Sequence, residues 1–375
     1  MSPATAPRDD PRTTRLLVVD VAARTIAAGA IGDLATLLAP GDLLVANDAA
    51  TLPASLHGTT AAGEAVEARL AGPPWGTRAK ALLFGAGDWR MRTEDRPPPP
   101  RLAVGDRLRF AGLVATVAAV DAHAPRLVTL AFDRDGALLW RALYAAGRPV
   151  QYSYLERPLA LWDVQTPFAA RPWAVEPPSA ALPLTFDLLL ALRERGVRVA
   201  SVTHAAGLSS TGDPALDRLL PLPERYEVPA GTVQAVADAH RRGARVIAIG
   251  TTVVRALESA ARAGGGGLAA GEGITALRLG PGSGRRVVDA VLTGMHEPDS
   301  SHFALLEAFA PRALLLELDA RAQQLHCLAH EFGDAALVVS PRRLGRGGLD
   351  CFSLDSEVHH HRDAEREPVA ARGQR

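Results

Sequence analysis

Hydrophobic positions in this chain fall into short runs whose period changes along the sequence. Arg15–Asp20 (Arg-Leu-Leu-Val-Val-Asp) and Leu43–Asn47 (Leu-Leu-Val-Ala-Asn) are nearly continuous apolar runs of strand length. A short helix is expected at 34–38, and Pro40-Gly41-Asp42 punctuates the approach to the second strand. From about 55 to 136 the texture changes. Short β-type runs at Ala65–Leu70, 80–84, Arg107–Phe110, Leu113–Val120 and Leu127–Phe132 alternate with Gly/Pro turns, among them the proline run 97–100. That spacing predicts a small barrel or sandwich. Beyond about 138 the helical period returns. Helix 186–195 is stopped by Gly196 and followed by strand 197–203; helix 233–242 is closed by Gly243 and leads into strand 245–250. Further helices are expected at 253–262, 305–308 and 314–328, with a last strand at Ala335–Val339. Strands alternating with helices predict a mostly parallel sheet covered by helices. The expected fold is therefore α/β, a mostly parallel sheet domain (12–54 and 137–344) interrupted by an inserted small β-barrel domain (55–136). Residues 345–375, with the Gly-rich stretch 345–348 and His359–His361, read as a flexible tail.

Composition narrows the class without selecting a function. The chain has 375 residues, 47% of them hydrophobic, which is enough to build a core and excludes a disordered or fibrous protein. Forty-one basic side chains balance 41 acidic ones, against a protein that coats nucleic acid without specificity, although a local patch is still allowed. Lys80 is the sole lysine, so a Schiff-base or P-loop lysine has one candidate. Two cysteines, Cys327 and Cys351, are too few for a disulfide scaffold or a Cys-rich metal site. No run approaches the roughly 18 apolar residues of a membrane span, and the first residues lack a signal-peptide core. A cytoplasmic protein of two domains is expected, with no membrane partner.

The sharpest chemical feature is Gly250-Thr251-Thr252-Val253-Val254-Arg255-Ala256-Leu257-Glu258. A buried strand ends in Gly-Thr-Thr and a helix begins at once, so free N–H groups and two hydroxyls face an anionic or carbonyl-bearing ligand. In open α/β sheets ligands bind at the carboxyl ends of strands, where this turn belongs. Against this stands a structural reading in which Thr251 caps the helix and Arg255 pairs with Glu258, three residues on. A second feature is a strand at 287–292, which contains Asp289 and runs into a loop holding His296, Glu297, Asp299 and Ser300. Histidine beside carboxylates is acid–base equipment, and it is equally common in a solvated loop. Glu64 and Glu67 lie on the predicted barrel, where exposed carboxylates on a half-buried strand are the ordinary case.

Metal and dinucleotide sites find less support. His326 and His330 are four apart on the expected helix, a metal-ligand spacing, but no HExxH glutamate accompanies them and no third ligand has convincing spacing. Cys327 reads as buried packing. Gly280-Pro-Gly-Ser-Gly284 precedes a strand, whereas a dinucleotide fingerprint follows one. No metal and no nicotinamide cofactor are expected.

Several stretches together resemble the S-adenosylmethionine:tRNA ribosyltransferase-isomerase family of queuosine biosynthesis. They are Arg15-Leu-Leu-Val-Val-Asp20, Gly41-Asp-Leu-Leu-Val-Ala-Asn47-Asp with Leu52-Pro-Ala-Ser-Leu-His-Gly58, and Gly243 to Ser259 with its Gly-Thr-Thr-x-x-Arg core. They continue through Val287-Val-Asp-Ala, His296-x-Pro298-x-Ser300 and Phe332-Gly-Asp334-Ala, so order and spacing match from about residue 12 to 340. The resemblance implies an α/β domain interrupted by a barrel. It also implies S-adenosylmethionine as co-substrate, its ribosyl part being transferred and isomerised onto a 7-aminomethyl-7-deazaguanine base of tRNA while adenine and methionine leave. Such chemistry needs a base beside the sulfonium, an acid for the departing adenine and an oriented amine, and no metal. On this basis Gly250, Thr251, Thr252, Arg255, Asn47 and Arg15 are expected to bind the co-substrate. His296, His204 and Glu258 are the catalytic candidates, the two histidines for proton transfer. Glu67, Asp289, Ser300 and Asp334 are expected on the acceptor side, where Glu67 or Glu258 would hold the amine or ribose hydroxyls. Arg255→Ala is expected to weaken ligand binding far more than stability.

The chain also departs from that family's pattern. In the stretch resembling Ala-Pro-Thr-Ala-Gly-Leu-His-Phe, Pro183 stands where the histidine would be and Ala181 where the glycine would be. His204 survives in Thr203-His-Ala-Ala-Gly, but the Gly-x-Gly turn after it does not. Pro221-Leu-Pro-Glu224-Arg-Tyr226 lacks another histidine, and Pro149-Val-Gln-Tyr-Ser-Tyr154 replaces Pro-Leu-Pro-Pro-Tyr-Ile. The Lys-rich loop of the barrel becomes Gly87-Asp-Trp-Arg followed by Asp95-Arg-Pro-Pro, which weakens the expectation of tRNA as partner. Three readings stay open: a family enzyme acting on tRNA, a transferase using S-adenosylmethionine on a small nucleobase-like acceptor, and a ligand-binding homologue without turnover.

Overall fold

A computed structural model describes residues 1–265 and 267–340; the expected tail at 345–375, with Cys351 and His359–His361, lies outside the described residues. Nine strands form the main sheet in the order Gly271–Thr275, Glu224–Val228, Arg198–His204, Leu43–Asn47, Val246–Ile249, Ala290–Gly294, Ala335–Val339, Arg15–Asp20, Thr25–Ala30. The four strands from Arg198–His204 to Ala290–Gly294 run parallel, and so do Ala335–Val339 and Arg15–Asp20. The remaining neighbours are antiparallel, so the parallel arrangement expected holds through the centre and gives way towards both edges. The first hairpin shows why: four residues separate Asp20 from Thr25, which permits only an antiparallel return.

Burial explains why the central strands read as apolar runs. Every residue of Leu43–Asn47 and of Val246–Ile249 is buried, because helices cover both faces. Leu43 and Val45 pack with Val236, Val253 and Leu257 from the helices Ala230–Arg241 and Thr251–Ala263. Leu44 and Ala46 point the other way, towards Leu188 and Leu192 of the helix Phe186–Glu194. The side-chain period of two thus divides one strand between two cores.

The predicted helix 314–328 is cut short. It spans Arg312–Gln324 and closes with Cys327 N–H donating to Ala322 C=O at 2.9 Å and His326 N–H to Gln323 C=O at 3.0 Å. His326 takes the left-handed conformation this Schellman turn needs, at φ +53°. His326 and His330 therefore share no helix face. Among the described residues, no group of three or more His, Cys, Asp or Glu side chains is arranged to hold a metal ion. No helix among them is long and apolar enough to cross a membrane.

In the chain, the barrel strands lie between Leu43–Asn47 and Arg198–His204 of the sheet. Six antiparallel strands (Ser55–Thr60, Ala65–Leu70, Arg78–Phe84, Arg107–Phe110, Leu113–Val120, Leu127–Phe132) close on themselves. Alternation is clean where one face is solvated: Arg107–Phe110 reads exposed, buried, exposed, buried. Ala65–Leu70 is buried from Val66 onward, which places Glu67 and Arg69 inside the protein.

Candidate functional site

The parallel strands present their carboxyl ends together, bringing Asn47, His204, Gly250 and the loop after Gly294 to one edge of the sheet. Asn47 joins two of these ends. Its Oδ1 accepts from His204 N–H at 2.9 Å and Ala49 N–H at 3.1 Å, and its Nδ2 donates to His204 C=O at 3.0 Å. Gly250, at φ +91° and ψ 157°, turns the chain from strand into helix in a region that only glycine adopts comfortably. No side chain caps this helix, so its first N–H groups point out of the sheet edge without a side-chain partner. Thr251 is the first helical residue rather than a cap.

Beside this helix start lies a buried polar group of three, an Arg–Glu ion pair and a histidine. Arg255 donates from Nη1 to Glu224 Oε2 and from Nε to Leu277 C=O at 3.0 Å. Glu224 Oε1 accepts from Gly207 N–H at 2.6 Å, and a Cβ at Gly207 would come within 2.9 Å of that oxygen. His204 is wholly buried, and neither ring nitrogen has a hydrogen-bond partner. Its Nε2 lies 3.4 Å from Glu224 Oε2, close enough for attraction but not aligned as a hydrogen bond. Burial, with Arg255 nearby, pushes the His204 imidazolium down to about 3, so the ring is neutral. Burial raises the Glu224 carboxyl against the opposing pull of Arg255. An unpaired, buried imidazole at a bare helix start has hydrogen-bonding capacity that the protein itself does not use.

A second cluster adjoins the first. His296 Nε2 meets Thr293 Oγ1 at 2.7 Å, and its ring stacks on His302 with centroids 4.8 Å apart. Burial lowers both imidazoliums, His302 to about 4 with Arg255 contributing, His296 further under His302 and His330. The His330 ring stacks on Tyr154 at 4.4 Å, and Tyr154 on Tyr152 at 6.1 Å. The Tyr154 hydroxyl donates to Glu331, and the Tyr152 hydroxyl to Glu176. Tyr152 also faces Arg69 of the barrel, 5.6 Å from guanidinium carbon to ring centroid. A row of polar and aromatic groups thus runs from the sheet edge to the barrel.

Several expected site residues are engaged elsewhere. Glu258, wholly buried, accepts from the backbone N–H groups of Arg286, Val287 and Val288 and from Arg262, so its carboxylate holds the 286–288 turn and has no capacity left for a substrate. Arg255 pairs with Glu224, not Glu258. Asp289 precedes the strand Ala290–Gly294 and therefore lies at the amino end of the sheet, where it accepts from Val246 N–H at 2.9 Å, a strand's length from His296. Asp334 ties the chain's beginning to its end, accepting from Arg8, Arg15 N–H and Leu328 N–H. Ser300 caps the short helix Ser301–Leu306, accepting from Phe303 N–H at 3.1 Å. Arg15 donates to Leu325 C=O and lines a separate cleft of about 320 Å³ with Gln324 and Cys327. Glu67 is no exposed carboxylate. Burial would raise it, but Arg69 and Arg96 on either side, with the Ser55 hydroxyl, hold it down at about 2. Arg255, buried in an ion pair, also cannot be removed without cost to stability.

Glu224, His302, Tyr152, Tyr154, Glu176 and Glu331 were not legible as site residues. The one available signal was the strand Glu224–Val228 (Glu-Arg-Tyr-Glu-Val), whose period of two puts Glu224 on the same buried face as Tyr226 and Val228.

The architecture defines an α/β protein with a candidate ligand site at a helix start on the carboxyl edge of its sheet, and a closed barrel. A family profile described as a queuosine biosynthesis protein matches residues 2–338. The S-adenosylmethionine:tRNA ribosyltransferase-isomerase of Anaeromyxobacter sp. (strain Fw109-5) is 39% identical over 320 residues, 83% of this chain and 88% of that protein. The same-named protein of Anaeromyxobacter dehalogenans (strain 2CP-C) is 38% identical over 341 residues, 89% of this chain and 93% of that one. A solved S-adenosylmethionine tRNA ribosyltransferase from Thermotoga maritima is 24% identical, covering 90% of this chain and 96% of its own, with a TM-score of 0.49. The chain belongs to the queuosine biosynthesis protein family.

Proposed function

We propose that this protein is a transferase and isomerase that takes S-adenosylmethionine as co-substrate and tRNA as acceptor, the activity named for its relatives. The observation that carries the reading is identity of 37–39% with proteins of that name along more than four-fifths of the chain. The site's chemistry supports it. Free N–H groups at the Thr251 helix start suit a carboxylate such as that of the methionyl part. The neutral His204 ring offers a donor and an acceptor to a nucleobase or ribose, and the stacked Tyr152, Tyr154 and His330 rings offer a flat face. Of the expected residues, Gly250, Thr251, Thr252, Asn47, His204 and Arg255 build the co-substrate side, and His296 borders it. We place the reaction in the cytoplasm.

A small nucleobase-like acceptor is a second reading, favoured by one observation. In the barrel segment that lacks lysine, Asp88 pairs with Arg90 at 2.6 Å and Arg92 pairs with Glu94, so little positive charge is left for phosphates. Calorimetric titration with S-adenosylmethionine, followed by chromatography for adenine with and without bulk tRNA, separates the readings. The tRNA reading expects binding and tRNA-dependent adenine release. Binding with no release under either condition points to another acceptor or a silent site, and no binding overturns the co-substrate.

A further inference from the structure

His204, His296 and His302 are all held neutral by burial, so none of the three is a ready proton donor near neutral pH. The segment that resembles the family's histidine-bearing stretch has Pro183 in that place, and Glu176 immediately precedes the segment. Glu176 follows the strand Arg171–Ala174, between barrel and sheet. Its Oε1 takes two hydrogen bonds, from the Tyr152 hydroxyl and from Ser209 N–H at 2.9 Å. Its Oε2 has no hydrogen-bond partner among the described residues and is not sealed from solvent. One oxygen is anchored and the other is presented.

Charged and titratable groups from the barrel and from two loops face Glu176. Arg69 comes from the barrel, Tyr152 and Tyr154 from the loop after the barrel, and Glu331 from the loop before the last strand. Burial raises the Glu176 carboxyl, Tyr152 and Ser209 oppose it, Glu331 adds to it, and the result is about 7. That value matches what proton transfer at neutral pH requires.

We propose that Glu176 is a proton-transfer residue of this site, donating from Oε2 to the leaving base. The inference rests on the reaction proposed above. As the ribosyl C–N bond breaks, its electron pair leaves with adenine and the Glu176 proton goes to an adenine ring nitrogen. The carboxylate left behind is held by the Tyr152 O–H and the Ser209 N–H. It regains a proton from the acceptor amine when that nitrogen bonds to carbon. Tyr152 is a positioning residue, since it acts through Glu176.

The test uses the full chain with S-adenosylmethionine and tRNA. Glu176→Gln keeps the size and the acceptor oxygen but carries no titrating proton. It is expected to slow adenine release by about 10²-fold or more while co-substrate affinity, read by calorimetry, changes less than about threefold. The limb of the wild-type pH–rate profile near neutrality should vanish in Glu176→Gln. In Tyr152→Phe it should move to higher pH, because a donor to the carboxylate has been removed. An unchanged rate and profile in Glu176→Gln overturns the proposal. A readout independent of turnover accompanies it: the carboxyl carbon-13 signal present in wild type and absent in Glu176→Gln should step near pH 7. A step in the ordinary carboxylate range also overturns the proposal. A wild-type chain that binds S-adenosylmethionine but releases no adenine overturns the reaction reading, and with it the leaving base, even if the carbon-13 step is found where expected.

Discussion

Replacing Arg255 by methionine is the most informative single perturbation of this protein. Arg255 is 6% exposed and Glu224 7%, so neither charge can be rehydrated where it stands. Methionine fills much of the arginine stem's volume but removes the countercharge of Glu224 and the donor to Leu277 C=O. Breaking a buried pair from one side costs about 3–5 kcal/mol, because the partner is left charged in a poor solvent or must take up a proton. The Glu224 carboxyl, already raised by burial, would rise further without Arg255. His204 would move the other way from its present state, its imidazolium becoming easier to form once a neighbouring cation is gone. Adding Glu224→Gln removes the stranded charge and keeps an acceptor for Gly207 N–H. The double variant should therefore recover most of the loss, a coupling energy of about 2 kcal/mol or more. Urea unfolding followed by far-ultraviolet dichroism on wild type, both single variants and the double variant closes the cycle. If Arg255→Met/Glu224→Gln is no more stable than Arg255→Met, the cost was lost packing, and the buried charge pair is not what organises this site.

Three further outcomes are expected. Glu67→Gln leaves Arg69 and Arg96 buried without an anion, and should destabilise the barrel by about 3 kcal/mol or more, read from its melting transition. Because the folded Glu67 carboxyl is held at about 2 against an ordinary 4.5, its contribution, about 3 kcal/mol, is complete above pH 4.5 and is lost as the pH falls towards 2. That acid limb of stability should be missing from Glu67→Gln. Gly250→Ala meets no clash, the nearest atom being Ala180 Cβ at 3.5 Å, yet should cost about 1–3 kcal/mol from backbone strain alone and displace the helix start enough to weaken co-substrate binding. Binding unchanged by calorimetry would remove that helix start from the site.

The elements that sequence reasoning located are those whose burial dictates their composition. Leu43–Asn47 and Val246–Ile249 are covered on both sides and could hardly be anything but apolar strands. Thr25–Ala30 was invisible because it is an exposed edge strand of Thr-Ile-Ala-Ala-Gly-Ala, with no alternation for a period to reveal. Gly271–Thr275, at the other edge, was hidden likewise among glycines. The turn at Gly250-Thr251-Thr252 was legible because strand, glycine and helix follow each other in sequence. The groups beside it were not, since Glu224 reaches Arg255 of that helix from a segment tens of residues away. Asp289 was misassigned for a reason that strand direction alone supplies: a residue preceding a parallel strand sits at the edge opposite to the site. Glu258 and Asp334 looked like chemistry because they are carboxylates in motifs, and only their hydrogen bonds reveal that each secures a turn.

The order of strands in the sheet bears on how the molecule can be made. Arg15–Asp20 and Thr25–Ala30 are synthesised first, yet they join the sheet only through Ala335–Val339, the last described strand. Asp334, one residue before it, fastens Arg8, the Arg15 backbone and Leu328 in the same place. Until Ala335–Val339 has been made, the opening hairpin has no neighbour to pair with, and the strand Ala290–Gly294 keeps an open edge. The barrel and the parallel centre can close before Ala335–Val339 has been made, whereas the sheet is completed only once that strand is present. A nascent chain stopped before residue 335 would then carry two unsatisfied strand edges, a ready substrate for chaperones and for aggregation.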